Sequence, residues 1–158
     1  DTNNFLTKTG VRTFEAAAFL RRCGADVTRV RKMFREHVED YRAKGEAIRN
    51  AELFREHFAI SVCPSEGLDS PTVVGAQAAN EVLNIIGVKA SFVLTDYRNT
   101  IYISARSIDE INVQIVMERL GGGGHLNIAG AQLEHYSITE AKDVLKQTLQ
   151  KMLDEGDI

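Results

Sequence analysis

No stretch of about 18 apolar residues occurs anywhere in this 158-residue chain, so nothing in it reads as a membrane span. Cysteine is scarce: Cys23 and Cys63 sit in no paired motif, and the expectation is a reducing compartment. There is no signal peptide, and the chain starts at Asp1 without a methionine, so it is expected to be a piece of something longer. His37, His57 and His135 fall at no metal-ligand spacing, and no Ser-His-Asp or Cys-His arrangement is readable. A complete catalytic site is therefore not expected here. Internal repeats and low-complexity tracts are missing as well. So is an excess of positive charge. Residues 1–57 carry 12 basic and 9 acidic side chains, whereas residues 58–158 carry 7 and 13, for a net charge of −3 overall. A surface that follows a long phosphate backbone is basic. The acidic second half favours a small anionic ligand and argues against long double-stranded nucleic acid as a partner.

What the chain does have is Gly121-Gly122-Gly123-Gly124-His125, followed by Leu126-Asn127-Ile128-Ala129-Gly130. Glycine has no Cβ and loses the most chain entropy on folding, so four in a row need a reason. One reading is a flexible hinge. The other is an anion cradle, in which successive N–H groups converge on a phosphate and Gly123 takes a positive φ. The apolar segment Ile108 to Leu120 before the run, and the small pair Ala129-Gly130 after it, favour the second. The run is no P-loop, because it ends Gly124-His125-Leu126 where a P-loop needs Gly-Lys-Ser/Thr. A dinucleotide-binding loop follows a strand, and this one follows a helical pattern.

In chain order, Thr13 is the expected N-cap of a helix through Arg22, with Phe14, Ala17, Ala18 and Arg21 on one stripe, and Gly24 just past its end. Asp26 caps the next helical region, Val27 to about Phe54, interrupted near Glu36 or Gly45. Its interleaved charges read as a solvated arm. Phe58 to Cys63 is the first expected strand, stopped by Pro64. Ser70-Pro71 opens a helix whose buried face is Val74, Ala78, Val82, Leu83 and Ile86, with Gly87 as its stop. Ala90 to Tyr97 and Thr100 to Ala105 form a hairpin around Arg98-Asn99. Ser107 to Glu110 reads as a capping box for the helix before the glycines, and Ala131 to His135 as the last strand. Ser137 to Glu140 is a second capping box, opening a helix with Ala141, Val144, Leu145, Thr148, Leu149 and Met152 inward. The expected fold is α/β: a mixed sheet of about four strands with flanking helices, preceded by a helical linker arm.

Arg106 falls where a strand ends and a helix begins, one short helix from the glycines. A guanidinium can give two hydrogen bonds to one phosphate, so Arg106 is either a phosphate ligand or a plain surface residue. His125 could donate to a phosphate, move a proton or fill space.

Ser104-Ala105-Arg106-Ser107, then Val113 and Met117, then Gly121 to His125 with Ala129-Gly130, together resemble the DHH-associated C-terminal domain of the DHH phosphoesterases. That superfamily includes single-strand exonucleases, nano-RNA phosphatases and cyclic-di-AMP phosphodiesterases. Asp1-Thr2-Asn3-Asn4-Phe5, Arg12-Thr13-Phe14-Glu15 and Gly124-His125-Leu126-Asn127 are most similar to the membrane-anchored cyclic-di-AMP phosphodiesterases. The wider family usually carries alanine where this chain has Ile128, and the bulkier side chain is expected to reshape the pocket. The resemblance implies that residues 1–57 are the end of the DHH catalytic domain and its linker, and residues 58–158 the substrate-binding domain. It implies two manganese ions held mainly by residues outside this chain, with Asp1 the one metal ligand here. It also implies that Ser104, Arg106, Gly122, Gly123, Gly124 and His125 bind the phosphate or nucleoside end of a cyclic dinucleotide or short oligonucleotide. The chain alone is then expected to be inactive, to face the cytoplasm without touching the membrane, and to leave homodimerisation open. A short-oligonucleotide exonuclease or nucleotide phosphatase, and a non-catalytic nucleic-acid-binding module, are the alternatives.

Overall fold

A strand buried on both faces is apolar nearly throughout, and one with an open face alternates. Ala90–Tyr97 (β3) is buried at its first six residues, whereas Thr100–Ser107 (β4) alternates strictly between half-buried and buried. That contrast organises the molecule. The computed structural model describes residues 2, 4–108 and 110–158. They fall into two compact units, one up to Glu36 and one from His37 to Ile158.

In the first unit, Val11–Arg22 (α1) and Val27–Met33 (α2) are joined through Gly24 at φ +97°. Gly10, not Thr13, is the N-cap of α1. Asp26 caps α2 as expected, accepting from Thr28 N at 2.9 Å and Arg29 N at 3.3 Å. The rings of Phe5 and Phe14 stack at 5.4 Å.

The second unit adds Val38–Arg49 (α3), Glu52–Phe54 (β1), Phe58–Val62 (β2), Pro71–Leu83 (α4), Val113–Arg119 (α5), Gly123–His125 (β5), Ile128–Glu134 (β6) and Ile138–Glu155 (α6). Its sheet runs β1-β2-β3-β4-β6-β5, with β2 and β3 parallel and every other pair antiparallel. Six strands stand where about four were expected. The two additions are β1, which lies within the expected arm, and β5, which is made from the glycine run. Both have only three residues, too short for an alternation to register.

One face of the sheet carries Phe58, Ile60, Phe92, Leu94, Ile101 and Ile103, packed against Val116 and Met117 of α5 and Leu145, Leu149 and Met152 of α6. Each such large buried side chain contributes about 1.5–3 kcal/mol. Ser137 and Glu140 cap α6 reciprocally, and Gly156 closes it at φ +75°. Lys142 and Lys146 of α6 reach Glu52 of edge strand β1 at 2.7 and 3.0 Å, and these bonds hold its carboxyl below the usual range.

The other face carries α3 and α4. Ala43 and Ala47 of α3 are buried with Ala78, Ala79 and Val82 of α4, so α3 is a packed helix and not a solvated arm. Gly45 lies inside α3, and the break falls near Glu36. Two buried serines dock these helices: Ser61 Oγ donates to Ala47 O at 2.5 Å, and Ser91 Oγ donates to Ala79 O at 2.7 Å. Gly75 lets α4 lie close, since a Cβ there would run into Thr95 Oγ1. Helix α4 stops at Leu83, so Ile86 is fully exposed and does not belong to its buried face.

Candidate functional site

Helix α3 packs against α4 and β2, and α4 lies along β3 with its flank reaching β4. Beyond that flank β6 and β5 are left open, and cross-strand register lines the outward residues of β4, β6 and β5 into rows. Tyr102 pairs with Gln132, Ser104 with Gly130 and Gly130 with Gly123, and Arg106 with Ile128 and Ile128 with His125. The first two rows floor a groove of about 540 Å³, walled by Thr72 of α4 and rimmed by Gly121 and Gly122. Small residues make the floor low. Register thus brings Ser104 and Gly123 together, with Gly122 at their rim. Arg106 and His125 lie in the next row, about 7 Å along and roughly 10 Å apart by strand spacing, at the end of the groove.

Arg106 is half-buried and held in place. Its Nε donates to Asn80 Oδ1 at 2.9 Å and its Nη1 to Ala105 O at 2.8 Å. Burial, by removing water, pulls its pKa below the usual guanidinium value. No motif in the sequence marks Asn80. The available signal is helical spacing: Thr72, Ala76 and Asn80 recur every four residues along the flank of α4 beside its buried face.

The glycines divide their tasks differently from the expected cradle. Gly121, at φ +78°, is the left-handed stop of α5: its N–H goes to Glu118 O at 3.0 Å and that of Gly122 to Met117 O at 2.8 Å. Those two amides are therefore spent on the helix end and not on an anion. Gly123 does not take the expected positive φ; it sits in β5, and a Cβ there would meet nothing within 4 Å. Gly124, at φ +151°, belongs to the row with Ala129 and Ala105, which faces the core. A Cβ on it would lie 2.5 Å from Ala129 Cα. Gly124 thus lies on the side of the sheet away from the groove.

The segment after β4 also differs from expectation. Ser107 opens no capping box: its Oγ donates to Ile111 O at 2.6 Å and lies 3.3 Å from Asn127 Oδ1, pinning the β4–α5 connection to the β5–β6 turn. The N-cap of α5 is Asn112, whose side chain accepts from Gln114 N at 3.1 Å. Ser104-Ala105-Arg106-Ser107 is therefore an alternation. Ser104 lines the groove, Arg106 lies one row beyond it on the same face, Ala105 is core, and Ser107 is a buried clasp.

Residues 57–152 match the DHHA1 domain. The chain belongs to the DHHA1 domain family. It is 42% identical to the cyclic-di-AMP phosphodiesterase PdeA of Listeria monocytogenes over 146 residues, covering 92% of this chain and 22% of that protein. It is 40% identical to the cyclic-di-AMP phosphodiesterase GdpP of Bacillus subtilis over 158 residues, covering 99% of this chain and 24% of that protein. The chain thus spans about a quarter of these relatives' length. Among solved structures, an exopolyphosphatase-related protein from Bacteroides fragilis superposes with a TM-score of 0.83 at 22% identity, covering 96% of this chain and 46% of that one. At that identity the likeness concerns the fold.

Asp1, the expected metal ligand, lies outside the described residues. Among the described residues no three His, Cys, Asp or Glu side chains converge as ligands would. The domain's buried thiol is unsuited to nucleophilic chemistry. Cys63 is 1% exposed, and burial, reinforced by Glu46, pushes its pKa up to about 11. At pH 8 it is a neutral thiol, and only the thiolate reacts. Titration of the native protein with a thiol-specific disulfide reagent should release one rapid equivalent, from exposed Cys23. The second equivalent should follow only on unfolding; two fast equivalents would contradict this packing.

Proposed function

We propose that this DHHA1 domain grips one phosphate-and-nucleoside end of a cyclic dinucleotide, cyclic-di-AMP, for a manganese-dependent phosphodiesterase. The observation that carries the proposal is the open half-face of the sheet, with a glycine-and-serine floor ending in a fixed arginine. A groove of about 540 Å³ suits a small ligand. The glycine floor allows close approach, and the arginine fork matches a phosphate. The Listeria and Bacillus relatives, both cyclic-di-AMP phosphodiesterases, suggest the nucleotide. The metals, when bound, would activate the attacking water, and their ligands would come from residues beyond those described. The part derived from this chain is positioning: holding a non-reacting end fixes the scissile bond relative to the metals. On this reading the domain lies on the cytoplasmic side and makes no membrane contact of its own. Among the described residues no helix is long and apolar enough to cross a bilayer.

Calorimetric titration of the chain with cyclic-di-AMP tests the reading. Saturable one-to-one binding, with little dependence on salt and no displacement by long duplex DNA, is the expected result. Tight, steeply salt-dependent binding of long DNA instead would mark a nucleic-acid module. Heat no greater than dilution up to millimolar nucleotide would overturn the proposal.

A further inference from the structure

Asn80 and Arg106 meet because of how α4 is docked. Ser91 is the cross-strand partner of Arg106, and its buried hydroxyl is bonded to Ala79 O at 2.7 Å. That bond fixes the last turn of α4 over the row in which Arg106 lies. The next residue of the helix, Asn80, is thereby delivered to the guanidinium, with its Oδ1 2.9 Å from Nε. On the far side the Ala105 carbonyl takes a hydrogen from Nη1 at 2.8 Å. A guanidinium carries five donors. These two contacts use one donor on each side of the fork, and among the described residues the rest have no hydrogen-bond partner.

From this geometry we infer that Asn80 is a positioning residue, which orients the Arg106 fork toward an anion at the end of the groove without neutralising it. The inference rests on the functional reading above. A neutral amide oxygen suits that task. An aspartate or glutamate at the same place would hold the guanidinium equally firmly, but would cancel the charge the phosphate needs. A residue with no acceptor would leave a flexible side chain to be ordered when ligand binds, at a cost in affinity. The family resemblance marks Arg106 alone; the partner comes from α4, some 26 residues earlier.

The test is a double-mutant cycle read by cyclic-di-AMP binding, using Asn80→Ala, Asn80→Asp and Arg106→Ala in the full chain. Asn80→Ala should weaken binding about fivefold in the wild type and leave it unchanged in the Arg106→Ala background, because its effect passes through the guanidinium. Asn80→Asp should weaken binding by about tenfold or more, and more than Asn80→Ala does, although it keeps the hydrogen bond. An NMR readout without nucleotide accompanies the cycle: the Arg106 Nε–H resonance should shift and exchange faster with water in Asn80→Ala, and stay protected in Asn80→Asp. If Asn80→Ala weakens binding equally in both backgrounds, or Asn80→Asp binds as well as wild type, the positioning role is overturned. An unmoved Nε–H signal in Asn80→Ala would overturn it independently of any nucleotide. If Arg106→Ala itself binds like wild type, the functional reading fails instead.

Discussion

Gly122→Ala should lower the thermal midpoint of the chain by about 6–12 °C. A Cβ on Gly122 would collide with the carbonyl oxygen of Gly130, and would lie 2.6 Å from Ala131 Cα and 2.8 Å from Ala131 Cβ. Two of those three atoms are backbone, so relief requires β6 or the end of α5 to move. Overpacking of a tight site costs about 1–3 kcal/mol, and immovable neighbours put this one at the upper end. For a chain of this size each kcal/mol shifts the midpoint by about 2–4 °C. The amide of Gly122 is also tied to Met117 O at 2.8 Å, so the residue cannot swing outward without uncapping α5. Gly123→Ala is the matched control. With open space beside it and no positive φ, it should stay within about 0.5 kcal/mol of wild type in stability. Its new methyl would stand on the groove floor, so nucleotide binding should fall while the fold survives. Differential scanning calorimetry on the pair decides the matter. Equal midpoints for Gly122→Ala and wild type would mean that the α5–β5 turn is not packed as described.

Arg106→Ala and Arg106→Lys should both weaken cyclic-di-AMP binding by about tenfold or more with little change in stability. Among the described residues the Arg106 side chain bonds only to Asn80 and to the neighbouring Ala105 carbonyl, so the core does not depend on it. Lysine keeps the charge but loses both the Nε–H that meets Asn80 and the planar fork that meets a phosphate. Hydrogen bonds to charged groups contribute roughly 1.5–3 kcal/mol, which sets the expected tenfold or greater loss. In turnover by the whole protein the same change should raise the Michaelis constant. Unchanged binding and an unchanged Michaelis constant for both variants would rule out a phosphate role for Arg106.

Much of the molecule can be read from short windows of sequence. Arg98-Asn99 forms the expected hairpin turn, both residues at positive φ, because turn chemistry is set by the residues that make the turn. Ser137 with Glu140, and Asp26 with the two amides after it, are local caps closed within three residues. The alternation of Thr100 to Ala105 reads as a strand, and the structure buries its apolar residues while leaving its polar ones half-buried. The failures are just as informative. Ser107 and Glu110 have the spacing of a capping box, yet Ser107 is buried against Ile111 and Asn127, and Asn112 caps the helix instead. A tertiary partner outcompetes a local one there, because a buried hydroxyl left unpaired costs more than an exposed cap contributes.

The sequence by itself determined the types of the longer elements, the family resemblance through the serine-arginine and glycine-histidine stretches, and the choice of Arg106. Each of these depends on residues within a few positions of one another. Only the tertiary structure decided that β6 lies between β4 and β5, that α4 reaches β4 but leaves β6 and β5 open, and that Asn80 holds the arginine. It also separated four chemically identical glycines into a helix stop, a close contact, a floor residue and an edge residue packed against Ala129. A glycine is defined by what would strike its absent Cβ. Those atoms, in Gly130, Ala131 and Ala129, come from another strand, brought there by pairing that no local pattern encodes.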